Sequence, residues 1–338
     1  MTFRYSLDKT TPTRLYKCPS CGKRTLKRYW DNENGNYMPD DVGRCNREVN
    51  CAYHLTPKAF LEKIGSNYAP IAIGRHSKEV ILLPTYIQKS YLDRTMNRDD
   101  PNNLIRYLRR LFKEDLTQYL VNRFKLGTST YWKGSTMFWQ IDERMNIHAG
   151  KIMLYDSDTG RRCKHPFNHI QWAHSVAKWK DFRLDQCFFG LHQINTHEAK
   201  SICVVESEKT AVLMTALIPN VIWLASGGMN LSIENFRPLK QFKLILFPDV
   251  GVEDRNGKTP YQKWQDKASL LESLGYTVSV SSVLENKATI QQREKGYDLA
   301  DYLMKTDTEL GLALNDNAYP VSWDFNSNTF PTQQYDKH

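Results

Sequence analysis

The chain of 338 residues carries 46 Lys and Arg against 37 Asp and Glu, a formal net charge of +9 at pH 7. That length accommodates two or three domains at roughly 100 to 200 residues each. No apolar run approaches the roughly 18 residues of a membrane span, and the start MTFRYSLDKTTPTR lacks the apolar core of a signal peptide. These features exclude a membrane partner and lead us to expect a cytoplasmic protein.

The charge is divided along the chain. Residues 1–200 hold 33 Lys and Arg against 20 Asp and Glu, whereas residues 201–338 hold 13 against 17. A basic surface gains counterion release on a phosphate backbone, and an acidic one more often surrounds cations. Of the seven cysteines, four crowd into residues 18 to 51, which in a reducing compartment points to metal rather than disulfides.

In chain order, the first pattern is Cys18-x2-Cys21 followed by Cys45-x5-Cys51, two thiolate pairs able to close a tetrahedron around Zn²⁺. Between the pairs, LKRYWD and NYM flank Asn34-Gly35, a dipeptide that accepts the positive φ angles of a hairpin, so a zinc ribbon is expected. His54 lies close by, but four thiolates already complete the shell, so it is taken as a neighbour. Zinc first holds this small fold together. Lys23, Arg24, Lys27 and Arg28 interleave with Tyr29 and Trp30, pairing phosphate-seeking cations with base-stacking faces, which adds single-stranded DNA binding to the expectation. A helix follows in HLTPKAFLEKIG, with Thr56 as cap, Pro57 in the first turn and Gly65 past its end.

Residues 66 to 100 show no strong period and read as mixed strand and loop, with a hinge at NRDDPNN. Two helices then follow in LIRYLRRLF and EDLTQYLVNRF. From 135 to 172 the pattern becomes a meander of strands, TMFWQID, IHAGKIMLYD and RRCKHPFNHIQW, in which Lys151, Arg161, Arg162 and Lys164 are candidate phosphate contacts. His148, His165, His169 and His174 lack convincing metal-site spacing, and Cys163, Cys187 and Cys203 sit in apolar or strand contexts.

Beyond residue 199, apolar strands alternate with helices: SICVVES, EKTAVLMTALI, NVIWLASGG, a helix near Ser232, KLILFPD, YQKWQDKASLLESLG and YTVSVSSVL. Such alternation implies a parallel sheet covered on both faces, with its site at the carboxyl ends of the strands. Glu206 and Asp249 stand at two of those ends, and two oxygen ligands there suit Mg²⁺. Asp298 and Asp301, three apart at a helix start, could join them, although Asp298 also suits a helix cap. Ser226, Gly227, Gly228 and Lys209 occupy the same edge as candidate phosphate or nucleotide contacts. The stretch GVEDRNGKT imitates a phosphate-binding loop, but its glycine spacing is one residue too long and Glu253 and Asp254 would repel phosphate.

The order strand-Glu206-helix, Ser226-Gly227-Gly228, strand-Asp249-helix resembles a Toprim domain, and the whole layout resembles bacterial primases of the DnaG type. CPSCGKRT, GRCNRE, FWQID, GKIMLYDSDTGRR and VVESEKTA resemble, more closely, a zinc-ribbon and Toprim-like primase-related family often carried on bacterial mobile elements. The resemblance implies a multidomain α/β chain: a zinc ribbon with its helix at 1–65, a basic α+β primase-like region at 66–198, a Toprim-like domain at 199–305 and a polar tail at 306–338. It further implies nucleotidyl or phosphoryl transfer on single-stranded DNA with Mg²⁺ or Mn²⁺, nucleoside triphosphates as substrates, and a separate helicase or mobilisation protein as partner. Glu206 would then be acid/base or ligand, and Asp249 a ligand. The departure is Asp249-Val250-Gly251 where Toprim enzymes carry Asp-x-Asp. Glu253, Asp254, Asp298 or Asp301 would complete the ligand set, or the fold serves as a non-catalytic DNA-binding accessory to replication or mobilisation. A Toprim nuclease is the third alternative.

Overall fold

The computed structural model describes residues 3–8, 14–33, 35–47, 50–63, 84–196, 201–228 and 232–306. Its contacts separate two units, Met1–Leu82 with Asp254–Asn256, and Leu83–Glu253 with Gly257–His338. The helix stop expected at Gly65, the divisions expected at 65/66 and 198/199, and the polar tail past Thr306 fall on or beside positions outside the described residues.

The first unit is an antiparallel ribbon built on one long strand. Strands β1 (Tyr5–Leu7), β2 (Tyr16–Lys17), β4 (Asn36–Tyr37) and β5 (Gly43–Cys45) all pair with β3 (Arg24–Asp31). The hairpin between β3 and β4 turns at Gly35, and α1 (Pro57–Lys63) follows with the Thr56 hydroxyl accepting from the Ala59 amide. One small cluster here combines Leu26 with Cys18, Cys45 and Cys51, so much of this core is the cysteine site itself.

The second unit opens with three helices, α2 (Lys89–Met96), α3 (Asn103–Leu111) and α4 (Glu114–Phe124). The segment of α2 was expected to be strand and loop. Of its eight residues only Leu92 is buried, so it carries too little apolar period to announce a helix. The expected hinge at NRDDPNN ends in a rigid cap: Asn102 is fully buried and its Oδ1 accepts from the Ile105 amide at the start of α3.

An antiparallel sheet follows, ordered β6 (Gly127–Ser129), β7 (Ser135–Ile141), β8 (Ile147–Met153), β9 (Ile170–Trp172). Only the last three residues of the expected strand RRCKHPFNHIQW belong to β9; the rest is a loop whose Arg162 forms an isolated bridge with Tyr155, just beyond the end of β8. A short helix α5 (Ala173–Val176) ends this part.

The parallel sheet is ordered β11-β10-β12-β13, from β10 (Ser201–Val205), α6 (Glu208–Leu217), β11 (Ile222–Ala225), β12 (Lys243–Phe247), α7 (Pro260–Ser273) and β13 (Thr277–Val280). The helix expected near Ser232 is a single 3₁₀ segment, Ile233–Leu239, in which Pro238 has no amide to continue an α-helix. Helices α8 (Val283–Lys287), α9 (Ile290–Lys295) and α10 (Leu299–Thr306) are the last described elements of the unit.

Strand alternation assigns the two faces of this sheet. Cys203, Val205, Ile245 and Phe247 join α6 and the α3–α4 pair in one core, which also takes Phe138 and Met153 from the antiparallel sheet. Ile202, Val204, Leu244 and Leu246 pack on the other face against Trp264, Ala268 and Leu271 of α7. The chain therefore leaves β10 through α6 on one face towards β11, and leaves β12 through α7 on the opposite face towards β13. Such a reversal opens a crevice at the carboxyl ends of the two central strands.

Candidate functional site

In the ribbon, the four sulfurs of Cys18, Cys21, Cys45 and Cys51 lie within 4.8 Å of one another. Cys18 Sγ and Cys51 Sγ are 3.6 Å apart, close to the roughly 3.8 Å edge of a tetrahedron with 2.3 Å zinc–sulfur bonds. The backbone prepares two of the thiolates. An amide hydrogen bond from Lys23 pulls the Cys21 thiol down to about 6, and one from Tyr53 lowers Cys51, whereas burial pushes Cys18 up to about 11. Gly22 supplies the positive φ, +67°, of the tight turn between Cys18 and Lys23. The donor set fits a structural zinc ion.

His54 is occupied elsewhere, since its Nε2 is 2.8 Å from the Tyr29 hydroxyl and its ring stacks on that tyrosine. Arg28 is also engaged within the unit. Its guanidinium donates to the Met38 carbonyl, pairs with Asp40 at 2.6 Å and lies over the rings of Tyr16 and Tyr37. Trp30 stands edge-on to Tyr37 at 4.8 Å. Lys23 and Arg24 are exposed and Lys27 is half-buried.

The second unit contains a cavity of about 640 Å³ at the crevice defined by β10 and β12. Val205 and Phe247 are register partners, so Glu206, one residue later, and Asp249, two residues later, emerge at the same sheet edge. Asp298 and Asp301 reach this cavity from the start of α10. Burial pushes the Asp249 carboxyl well above the ordinary carboxylate range, and the charges of Glu206, Asp298 and Asp301 add to it against a smaller pull from Arg162. Burial raises Glu206 too, in part offset by hydrogen bonds from the Asp249 amide and the Trp264 indole. Glu206 Oε1 is buried with no hydrogen-bond partner among the described residues.

Asp298 is held on both oxygens: Oδ2 accepts from Thr210 Oγ1 at 2.5 Å, and Oδ1 from the Asp301 amide at 2.7 Å, as the cap of α10. Among the described residues, the four cysteines are the only group of three or more metal-type ligands with donor atoms so closely gathered. The four acids share one cavity without converging to that degree.

Cations oppose the acids across the cavity. Arg161, Arg162 and Lys164 line it from the loop after β8, and Lys209 from α6, where its Nζ also donates to the Gly160 carbonyl at 3.3 Å. Lys151 is different. Its Nζ donates to Glu208 Oε1 and Oε2 at 2.9 and 3.2 Å and to the Gly227 carbonyl at 3.1 Å, with both side chains nearly buried. Gly227 turns with a φ of +71°, and a Cβ there would stand 3.1 Å from Glu208 Oε1. Gly227 and Gly228 line the cavity, whereas the Ser226 hydroxyl bonds back to the Val205 carbonyl at 3.3 Å.

Sequence reasoning missed Glu208. The signal available was a lysine inside β8, a strand buried along its whole length, which must have an acidic partner somewhere. His148 has such a partner as well, with Nε2 3.0 Å from Asp142 Oδ2.

A family model described as a domain of unknown function, DUF6371, matches residues 102–250, and one for a zinc beta-ribbon finger matches residues 3–66. The first span runs from the Asn102 cap past Asp249, so it includes Lys151, Glu206 and Glu208 and leaves Asp298 and Asp301 outside. No curated protein matches the chain. Among solved structures, the chain is similar to a DnaG primase catalytic domain bound to ssDNA, at 15% identity over 67% of this chain and 75% of that one, with a TM-score of 0.42. It is similar to the E. coli primase catalytic core at 14% identity, over 64% and 80% of the two chains, with a TM-score of 0.39. The zinc-binding and RNA polymerase domains of Aquifex aeolicus primase give 15% identity over 92% and 80%, with a TM-score of 0.39. These likenesses are distant.

Proposed function

We propose that the chain is a primase-like Toprim protein that carries out Mg²⁺- or Mn²⁺-dependent nucleotidyl transfer on single-stranded DNA. The observation that carries this reading is the meeting, in one cavity, of carboxylates at adjacent parallel strand ends with a wall of lysine and arginine. Acids alone would suit a cation and bases alone a phosphate; together they suit a phosphate that arrives with its metal.

The fit to a divalent cation rests on two features. Glu206 Oε1 is buried without a partner among the described residues, and burial first, then the charges of Glu206 and Asp298, disfavour the ionised form of Asp249. Those two carboxylates would hold the ion, with Asp301 and substrate oxygens within the same cavity. When bound, the ion supplies neutralisation of charge on the reacting phosphate. Arg161, Arg162 and Lys164 bind and orient the phosphates of the incoming nucleotide. Glu206 Oε1 is the group placed to take a proton from the attacking hydroxyl if it is not occupied as a ligand. Lys23 and Arg24 of the ribbon supply further backbone contacts to the template.

The second reading, a DNA-binding accessory without catalysis, is favoured by Asp249-Val250-Gly251 and by the full engagement of Asp298. One experiment separates the two. The full chain is incubated with single-stranded templates, labelled nucleotides and Mg²⁺ or Mn²⁺, and both new product and template cleavage are scored. Template-dependent product that disappears in Glu206→Gln and in Asp249→Asn, with DNA binding retained, supports transfer. Absence of product with every template and metal overturns it in favour of binding, and cleavage without synthesis points to a nuclease.

A further inference from the structure

The antiparallel sheet has a second cavity, on the face turned away from the acids. Along β7 and β8, Phe138, Lys151 and Met153 point to one side, while Met137, Trp139 and Ile152 point to the other. The second set floors a space of about 520 Å³ between α2, β6 and the segment through Ala173 to Trp179. That volume falls within the range of small-molecule sites.

Its walls are aromatic and largely fixed. Trp139 is buried and donates Nε1–H to Thr95 Oγ1 at 2.9 Å, and Trp179 stands edge-on to Tyr91 at 4.9 Å. Tyr131 closes one side with 45% of its surface exposed. Two cations stand at the rim. Arg94 lies 4.4 Å above the Tyr91 ring and uses only Nε, on the Ser90 carbonyl, and Arg98 is exposed with no hydrogen bond or ion pair among the described residues. Of the acids nearby, Asp93 is paired with Lys89 and Asp100 with Arg106, and the exposed Asp99, next to Arg98 in the chain, forms no ion pair with it among the described residues. Ser129 and Thr130 line the β6 side, whereas the Thr128 hydroxyl is bound to Asn102 on the other face of the sheet.

This combination selects a chemistry. An aliphatic ligand would leave the arginines unanswered, and a bare anion would have no use for aromatic walls. A ligand with a flat face, a hydrogen-bonding edge and an attached anion uses all three features. We propose that this second cavity is a nucleotide-binding site, with the base against Tyr131 and Trp179 above the buried Trp139 and the phosphate on Arg94 and Arg98. The site stands apart from the acid cavity and holds whether or not that cavity is catalytic. Its occupant is either a free nucleotide or one base of a single strand.

Calorimetric titration of the full, zinc-loaded chain in magnesium-free buffer, with AMP and separately with a short oligothymidylate, tests the proposal. Arg98→Ala and Tyr131→Ala should each weaken binding about tenfold, the scale of one charge-assisted contact or one stacked base. An effect seen with AMP identifies a free-nucleotide site, and an effect seen only with the oligonucleotide identifies a strand contact. Both altered side chains are exposed, so the fold should persist, which near-ultraviolet circular dichroism checks. Unchanged affinity for both ligands in both variants overturns the proposal, as does binding that is lost in Glu206→Gln instead. Hydrogen exchange on the unaltered chain gives an independent reading: ligand must slow exchange in 89–98 and 128–131, and protection confined to other segments also overturns it.

Discussion

The Lys151–Glu208 pair should be the most expensive polar feature of the second unit to break from one side. Glu208 is 2% exposed and Lys151 10%, and between them the Nζ protons reach both carboxylate oxygens and the Gly227 carbonyl. Removing one partner leaves the other buried without its counter-charge, which costs about 3–5 kcal/mol. Replacing both by methionine removes both charges together and preserves most of the volume. Lys151→Met and Glu208→Met are therefore each expected to destabilise by about 3–5 kcal/mol, and the double variant by much less than their sum. Urea unfolding followed by tryptophan fluorescence is a suitable assay, because Trp30 is the only tryptophan within the first unit's sequence. Single variants that cost under about 1 kcal/mol, or a double variant as costly as the two singles added, would refute the reasoning.

Zinc removal by Cys18→Ser with Cys21→Ser should abolish metal binding and unfold the ribbon while the second unit keeps its transition, since its apolar clusters include no ribbon residue; metal analysis together with calorimetry checks both halves. Asn102→Ala should cost about 3 kcal/mol, from a lost helix cap and the partners orphaned by a side chain that also meets the Gly127 carbonyl, Thr128 and Thr136. Its urea midpoint tests this, and a shift worth less than about 1 kcal/mol would count against it. Gly251→Asp, which restores an Asp-x-Asp pattern, should destabilise by about 1–3 kcal/mol without raising metal-dependent activity, because its Cβ would stand 2.9 Å from Pro260 Cγ. A stable and more active Gly251→Asp chain would reverse that conclusion.

What could be read from the sequence was local. The cysteine spacing implied a shared metal point, and the runs SICVV and KLILF implied buried parallel strands whose ends carry Glu206 and Asp249. Long-range pairing left no such trace. Glu208 lies 57 residues from Lys151, and no periodicity connects a lysine on one sheet with a helix start beside another. Arg28 and Trp30 illustrate the opposite case. Their residue types suggested a nucleic-acid surface, and within the ribbon Arg28 also lies over two tyrosines and pairs with the exposed Asp40. A cation beside aromatics has two uses, and only the packing separates them.

The absence of an acid at position 251 has a packing cause. Val250 is buried and donates its amide to the Tyr297 carbonyl at 2.9 Å, which fixes the direction in which the chain leaves Asp249. Gly251 then passes against Pro260, the first residue of α7, which is itself locked by the reciprocal bonds between Thr259 and Gln262. A side chain at 251 would have to displace that helix start. The same Val250–Tyr297 bond brings the next residue, Asp298, alongside the Asp249 strand end, where it ties α6 to α10 through Thr210 and the Asp301 amide. Asp298 thus braces the helix that begins just after Glu206. Its carboxylate contributes negative charge to the cavity from a position fixed by structural bonds, so the spacing of Glu206 and Asp249 depends on Asp298 through the scaffold.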